Sequence, residues 1–374
     1  MRVIISAAGT GGHINPGIAI ANKIREKEPD SKIIFIGTNR GLENDLVPRA
    51  GYELKTIEAY GLKKEISFTN LKHIFQTISS RKEVKKIIDE FKPDVVLGTG
   101  GYICGPVMSS AISKNIPTVL HESNAYPGKA VKMFAREVDL VLAGFEEAKT
   151  RLIDSKKVIV TGTPTKIRKL EISNIKKKEL LKEIGIKNDL PIVLVFGGSQ
   201  GAQSINEAVQ DLVIKKLNKD YQIIWAAGQK QYDIIKENFE KENMYINNLT
   251  NVKVLPYIYN MEEMLNIADL AVCRSGAMTI TEIAITGKPA IFIPLPSKSA
   301  NRQEDNARVL EKIGAAKIIL NKDLTGDRLS AEIDEIILKN SELEEMGRLA
   351  SSIAPEDVEE KIYSEIKQII GEKK

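Results

Sequence analysis

The chain is poor in cysteine, in histidine and in long apolar runs. Its two cysteines, Cys104 and Cys273, lie far apart, and neither has a CxxC neighbour. That argues against a disulfide framework and a cysteine zinc site, and fits a reducing compartment. Both thiols read as small buried residues. No apolar stretch approaches the roughly 18 residues that cross a bilayer. The N-terminus, Met1-Arg2-Val3-Ile4-Ile5-Ser6, runs straight into glycines, so it reads as a first strand and not a signal peptide. Charge of one sign is lacking too. Against 54 Lys and Arg stand 50 Asp and Glu, a net of +4, too small an excess to argue for nucleic acid.

Several phosphate motifs are also missing. No GK[ST] follows any glycine loop, which removes an ATP-type P-loop. The first loop is GxGG and not GxGxxG. The second apolar run ends Phe35-Ile36-Gly37-Thr38-Asn39, with no acid for a nicotinamide ribose. These two features count against a dinucleotide site. No Asp-x-Asp stands in the loop regions, so no metal site is expected.

What the chain does have is three glycine turns: Gly9-Thr10-Gly11-Gly12, Gly98-Thr99-Gly100-Gly101 and Gly197-Gly198-Ser199-Gln200-Gly201. Each follows an apolar run and opens a helical stretch. Such turns aim backbone N–H groups outward at a positive helix end, a seat for phosphate. At 374 residues the chain is long enough for about two domains. The hydrophobic 43% and charged 28% are ordinary for a globular protein. Strand runs are expected at 3–6, 32–36, 54–57, 94–97, 118–121, 140–142 and 158–161, with helices between them and Pro16 just before the first. Fully apolar strands alternating with amphipathic helices imply parallel sheets covered on both faces. The pattern breaks at Gly162-Thr163-Pro164-Thr165, and the charged run 166–187 reads as an interdomain linker. It then restarts at 192. The expected fold class is α/β: two doubly wound, Rossmann-like domains, 1–164 and 165–354, facing a cleft. A last helix within 355–374 would pack back on the first domain. In such sheets ligands sit at the carboxyl ends of the strands.

His13 closes the first loop beside a helix N-terminus, whose dipole favours the neutral imidazole that a general base needs. His73 lies in a basic helix and reads as solvated. His121-Glu122-Ser123-Asn124 ends another strand, either as a site cluster or as a hydrogen-bonded turn. In Arg274-Ser275-Gly276-Ala277-Met278-Thr279-Ile280-Thr281-Glu282, a turn again opens a helix, and Glu282 falls on the face of Met278. A carboxylate there suits the two hydroxyls of a ribose. Asn301-Arg302-Gln303-Glu304-Asp305-Asn306 offers amides for sugar hydroxyls. Ile66, Phe68, Leu71, Ile74, Phe75 and Ile78 are ringed by Lys63, Lys64, Lys72, Arg81, Lys82, Lys85 and Lys86. Apolar residues ringed by cations have the composition of a surface that rests on anionic lipid.

Taken in order, Gly9-Thr10-Gly11-Gly12-His13, Gly100-Gly101-Tyr102, His121-Glu122 with Asn124, Gly197-Gly198-Ser199-Gln200-Gly201 and Ser275-Gly276-Ala277-Met278-Thr279 with Glu282 resemble a known pattern. It is that of the bacterial UDP-N-acetylglucosamine transferases that form lipid II from lipid I in peptidoglycan synthesis. The likeness spans nearly the whole chain. It implies the two-domain glycosyltransferase B architecture, no cofactor, no bound metal and peripheral residence at the cytoplasmic face of the cell membrane. It implies further that Thr10, Gly11, Gly12 and Asn124 approach the donor, and that Ser199 contacts its diphosphate. The Ile258 backbone would read uracil. Ala277, Met278 and Thr279 would lie near the diphosphate, Glu282 on the ribose, and Gln303 with Asn306 on the sugar. The first two glycine loops would face the acceptor's diphosphate. The family often carries Asn-Pro followed by Arg near the domain junction. Here Thr163-Pro164-Thr165-Lys166 stands instead, and Lys166 supplies charge without a bidentate fork.

The reaction so implied is inverting transfer of N-acetylglucosamine to the 4-hydroxyl of an undecaprenyl-diphosphate-linked acceptor, giving a β-1,4 bond. His13 is the expected base, with Glu122 in reserve. The rival enzyme class is a UDP-N-acetylglucosamine 2-epimerase, which shares the architecture and needs no acceptor. A non-catalytic nucleotide-sugar sensor is the third reading.

Overall fold

The computed structural model describes residues 1–60, 68–186, 190–198, 200–296 and 302–373; at 68–78 it describes the backbone alone. The chain divides into two compact units, Met1–Lys166 with Pro355–Lys374, and Ile167–Ala354.

In the first unit seven strands form one parallel sheet. They are β1 (Arg2–Ser6), β2 (Lys32–Gly37), β3 (Glu53–Thr56), β4 (Val95–Gly98), β5 (Thr118–Glu122), β6 (Leu140–Ala143) and β7 (Val158–Val160). Their order is β3-β2-β1-β4-β5-β6-β7. The chain thus runs outward from β1 to β3, then returns to place β4 on the other side of β1. Both loops that leave this switch point, after β1 and after β4, are glycine turns. Alternate residues of one strand feed opposite faces. Val3 and Ile5 pack in one core cluster and Ile4 in the other. That two-sided burial is why these strands are apolar throughout.

The second unit repeats the scheme with six parallel strands: β8 (Ile192–Phe196), β9 (Gln222–Ala226), β10 (Val252–Leu255), β11 (Leu270–Cys273), β12 (Ala290–Phe292) and β13 (Ala316–Ile318). The order β10-β9-β8-β11-β12-β13 puts the switch between β8 and β11. The third glycine turn follows β8, and the loop carrying Ser275 and Gly276 follows β11. The expected parallel α/β class is therefore found in both units.

Two local details differ from expectation, and one left open is decided. Pro16 lies inside the first helix, Gly11–Lys27, and not ahead of it. The helix starts within the glycine turn itself, because its first bonds are His13 and Ile14 N–H to the Thr10 carbonyl at 3.0 and 3.2 Å. Pro16 then withholds only the bond to the Gly12 carbonyl. The charged run read as a linker contains a helix, Asn174–Glu183, capped by Ser173, whose side chain accepts from the Lys176 amide at 3.2 Å. Leu180 and Leu181 are buried, which docks this lysine-rich helix on the second unit. His121, left open between site cluster and turn, is in a buried turn, as described below.

The final helix, Val358–Glu372, buries Ile362, Ile366, Ile369 and Ile370 in the first unit's core with Ile14, Ile18 and Ile24. No described helix is long and apolar enough to cross a membrane. Of the basic and apolar set proposed for lipid contact, Lys63, Lys64 and Ile66 lie outside the described residues. The side chains of Phe68, Leu71, Lys72, Ile74, Phe75 and Ile78 are likewise not described.

Candidate active site

In the first unit the loops after β1, β4 and β5 come from adjacent strands. His13 is half-buried in the first turn of the helix Gly11–Lys27. Its Nδ1 lies 3.3 Å from the Ala8 carbonyl and 3.5 Å from Thr10 Oγ1. A carbonyl only accepts, so as a hydrogen bond the shorter contact assigns the proton to Nδ1, and in the neutral ring the lone pair then falls on Nε2. The second glycine turn backs the ring. A Cβ on Gly100 would lie 2.6 Å from His13 Cδ2, and one on Gly101 would lie 2.9 Å from the Ala8 oxygen. Both glycines have positive φ, +110 and +83. The turn is glycine-rich here because an imidazole and a carbonyl occupy the space of its missing side chains.

Side chains beneath these loops hold them. Thr99 Oγ1 donates to the His13 carbonyl at 2.7 Å. Cys104 Sγ donates to the Gly100 carbonyl at 3.2 Å and sits 3.3 Å from Ser6 Oγ. Burial raises the pKa of Cys104, so it stays a thiol. Gly11 and Gly12 head the helix, and their N–H groups precede its first hydrogen bond. Gly9 differs from the outward-facing donor that sequence reasoning assigned. Its N–H turns inward to Glu43 Oε2 at 3.0 Å.

Glu122 is buried, and its carboxylate holds its own loop. Oε1 accepts from the Asn124 amide and side chain at 2.9 and 2.8 Å, and Oε2 from the Gly128 amide at 2.5 Å. His121 is fully buried. With Nε2–H donating to the Gly162 carbonyl, Nδ1 accepts from Ser123 Oγ, each at 3.3 Å. Burial pushes its pKa from 6.5 down to about 4.

A stability prediction follows from that depressed value. The unfolded chain binds this proton near pH 6.5, and the folded chain only near 4. Stability is lost as pH falls between them, by up to about 3 kcal/mol. His121→Gln should flatten the fall. Urea midpoints at pH 7 and 4.5 check this, and an equal drop in variant and parent would contradict it.

In the second unit, Gly201 approaches the end of β9 so closely that a Cβ would lie 2.1 Å from the Ala227 oxygen. Ser199 lies outside the described residues. After β11, the helix Ala277–Thr286 begins at Gly276, with Ile280 N–H reaching the Gly276 carbonyl at 3.0 Å. The amides of Ala277, Met278 and Thr279 precede that bond, so the helix itself gives them no acceptor. Glu282, four residues beyond Met278 in the same helix, is half-buried. Ile258 is buried in the turn after β10. Gln303 Oε1 accepts from the Leu295 amide at 2.9 Å, which leaves its NH2 as the end suited to a sugar hydroxyl. Asn306 is fully buried and donates to the Ser275 carbonyl at 3.2 Å, bracing the loop. Lys166, exposed, is the last residue of the first unit's main segment.

Arg274, just after the end of β11, has a role that its position in the sequence does not reveal. Its guanidinium donates to the Ile293 and Pro294 carbonyls at 2.9 and 3.2 Å, to Asn321 Oδ1 at 2.9 Å and to Ser204 Oγ at 2.9 Å. Burial lowers its pKa, yet an arginine stays charged. It ties the ends of β11 and β12 to the helix behind the glycine turn. Only an arginine has enough donors for four such partners. Glu43 was missed altogether.

Comparison with known proteins agrees with this two-unit plan. The model of the glycosyltransferase family 28 N-terminal domain matches residues 3–143, and that of the family's C-terminal domain matches 192–362. The chain is 43% identical to an Acetivibrio thermocellus protein over 100% of this chain and 99% of the relative. That relative is named UDP-N-acetylglucosamine--N-acetylmuramyl-(pentapeptide) pyrophosphoryl-undecaprenol N-acetylglucosamine transferase. A Bacillus pumilus protein of the same name is 40% identical over 99% of each chain. The crystal structure of Acinetobacter baumannii MurG superposes with a TM-score of 0.77 at 26% identity, covering 98% of this chain and 99% of that one. A UDP-GlcNAc 2-epimerase from Neisseria meningitidis shares the fold alone, with a TM-score of 0.65 at 15% identity over 98% of this chain and 100% of that one. On two domain models and full-length relatives together, the chain belongs to glycosyltransferase family 28, within its group of pyrophosphoryl-undecaprenol N-acetylglucosamine transferases.

Proposed function

We propose that this glycosyltransferase moves N-acetylglucosamine from UDP-N-acetylglucosamine to the 4-hydroxyl of N-acetylmuramoyl-(pentapeptide)-diphospho-undecaprenol. The observation that carries the reading is full-length likeness to transferases whose name states that donor and acceptor.

The mechanism is a single displacement with inversion. The acceptor hydroxyl attacks the anomeric carbon, the bond to the UDP oxygen breaks, and His13 Nε2 takes the hydroxyl proton. The Nδ1 contact with Ala8 supports His13 as base. Glu122 is the weaker candidate, because its carboxylate already holds Asn124 and Gly128. The departing diphosphate gathers charge, which the amides of Ala277, Met278 and Thr279 stabilise with the helix dipole, together with Ser199. No metal is needed in this scheme. Thr10, Gly11, Gly12 and Asn124 complete the donor contacts from the first unit, and Lys166 adds charge. Ile258 reads uracil through its backbone, Glu282 holds the ribose hydroxyls and Gln303 the sugar. Asn306 reads the sugar with Gln303 and also braces Ser275. The first unit is the acceptor domain, the second the donor domain. The chain works as a peripheral protein at the cytoplasmic face of an anionic membrane.

A transfer assay with radiolabelled donor and a lipid I analogue, run with and without chelator, tests this. Product independent of chelator is expected. An epimer formed from donor alone would favour the epimerase instead, and UDP binding with no product a sensor. Glu282→Ala should weaken donor binding about 10- to 100-fold, as expected when a charged acceptor of ribose hydroxyls is lost. Calorimetric titration of UDP reads it, and an unchanged Kd would contradict the ribose role.

A further inference from the structure

Glu43 is fully buried, at 0% exposure, and begins the short helix Glu43–Arg49 after β2. Among the described residues it has no ion pair with a lysine or arginine. Its partners are donors on loops. Oε1 accepts from the Thr38 amide at 3.0 Å and the Thr38 hydroxyl at 2.7 Å. Oε2 accepts from the Gly9 amide at 3.0 Å.

The chain makes room for this carboxylate. A Cβ on Gly41 would lie 2.0 Å from Oε2, and one on Gly37 would lie 2.7 Å from Cγ. Burying a carboxylate without a cation is unfavourable by several kcal/mol unless hydrogen bonds compensate. Here burial alone would raise the pKa, but the amides of Gly9, Glu43 and Thr38 and the Thr38 hydroxyl outweigh it and hold the group below the usual range. Glu43 is therefore an anion at neutral pH. A neutral side chain would be the simpler choice for holding a turn.

The Gly9 amide belongs to the same peptide group as the Ala8 carbonyl, and that carbonyl is the one beside His13 Nδ1. The N–H of this peptide faces the carboxylate, and its C=O faces the imidazole. Hydrogen bonds arranged in series polarise one another.

We propose that Glu43 is a positioning residue for transfer, acting through the Ala8–Gly9 peptide group to orient His13 and keep its proton on Nδ1. The proposal rests on the reading of His13 as base. The carboxylate locks the peptide plane and makes its carbonyl a stronger acceptor. That carbonyl favours the Nδ1–H tautomer and raises the basicity of Nε2. Thr10 Oγ1, at 3.5 Å from the same nitrogen, could donate to it only in the opposite tautomer.

Glu43→Gln is the sharp test. The two oxygens of Glu43 serve donors on two different loops, whereas glutamine has one oxygen. Its NH2 must therefore face a donor, at Gly9 or at Thr38. The full-length variant should lose at least about tenfold in kcat with KM for UDP-N-acetylglucosamine unchanged, since orientation at the reacting centre is lost while donor contacts stay. The acid limb of the kcat/KM profile should move to lower pH, because a weaker acceptor leaves His13 less basic. A folded variant with parental kcat and acid limb overturns the proposal. A second measurement needs no variant to fold for its main result: nitrogen NMR of histidine-labelled parent protein at neutral pH. It should show the His13 imidazole protonated on Nδ1, with its signal assigned by loss in His13→Gln. An Nε2–H tautomer overturns the proposal. The failures are distinguishable. If His13→Ala keeps full turnover, the base reading has failed. If His13 is essential while Glu43→Gln is silent, only this inference has.

Discussion

His13→Ala is expected to lower kcat by about 10² to 10⁴, the range for removing a positioned general base. The residue is half-buried in the first helical turn, and no core cluster depends on its ring. Circular dichroism and the thermal midpoint should therefore stay near those of the parent. UDP affinity should be retained, because the diphosphate, ribose and uracil contacts assigned above lie mainly in the second unit. Loss of kcat with retained binding is the signature of an interaction made in the transition state. Steady-state rates with a lipid I analogue, paired with UDP titration, read both quantities. Near-parental turnover in a folded variant would remove His13 from the mechanism and leave Glu122 to be tested next.

Gly201→Ala should give the largest loss of stability. Gly201 has φ +74, where an L side chain is strained by roughly 1–2 kcal/mol. Its added Cβ would also meet a backbone oxygen, that of Ala227, at 2.1 Å. Backbone cannot swing aside as a side-chain tip can. The two turns interlock, since a Cβ on Gly228 would lie 2.5 Å from the Gln200 oxygen. Separating them moves the turn after β8 and with it the proposed diphosphate seat. We expect a loss of about 2–4 kcal/mol in the second unit, the upper range for single substitutions with a named steric cause. UDP affinity should fall at least tenfold. Gly198→Ala provides the contrast. Its φ is +90, but nothing lies within 4 Å of the added Cβ. Only the conformational strain remains, and its midpoint should fall less. Equal effects at both positions would mean that the contact with Ala227 is unimportant. Thermal unfolding and UDP titration of the two variants decide it.

Much of the candidate site was legible because the features that mark it are local. A strand that ends in glycine and opens a helix is a feature of a dozen consecutive residues. His13 and Glu282 stand out as candidates by their position once that unit is seen, whereas Ala277 entered through the family resemblance. Gly100 was legible as a turn glycine but not as the wall behind His13, since the ring it accommodates lies 87 positions earlier in the chain. Glu43 carried no signal. In sequence it is one acid among 50 Asp and Glu, and only its burial against Gly9 and Thr38 singles it out. His121 was undecided for the same reason. Its neighbours are polar, and its decisive partner, the Gly162 carbonyl, is 41 residues away. The linker reading of 166–187 missed the helix Asn174–Glu183 because lysine-rich helices look like solvated chain until two buried leucines dock them.

The family was suggested by the resemblance of the ordered motifs. Apolar alternation and glycine spacing were enough, without coordinates, to indicate two parallel α/β units and to mark candidate strand ends. Those properties depend on nearest neighbours along the chain and on period, which sequence records directly. The order of strands within each sheet, the inward turn of the Gly9 amide and the joining of Glu43 to His13 through one peptide group were decided only by tertiary structure. Each depends on which distant segments share a buried space, and a buried group takes whatever partner packing brings within about 3 Å.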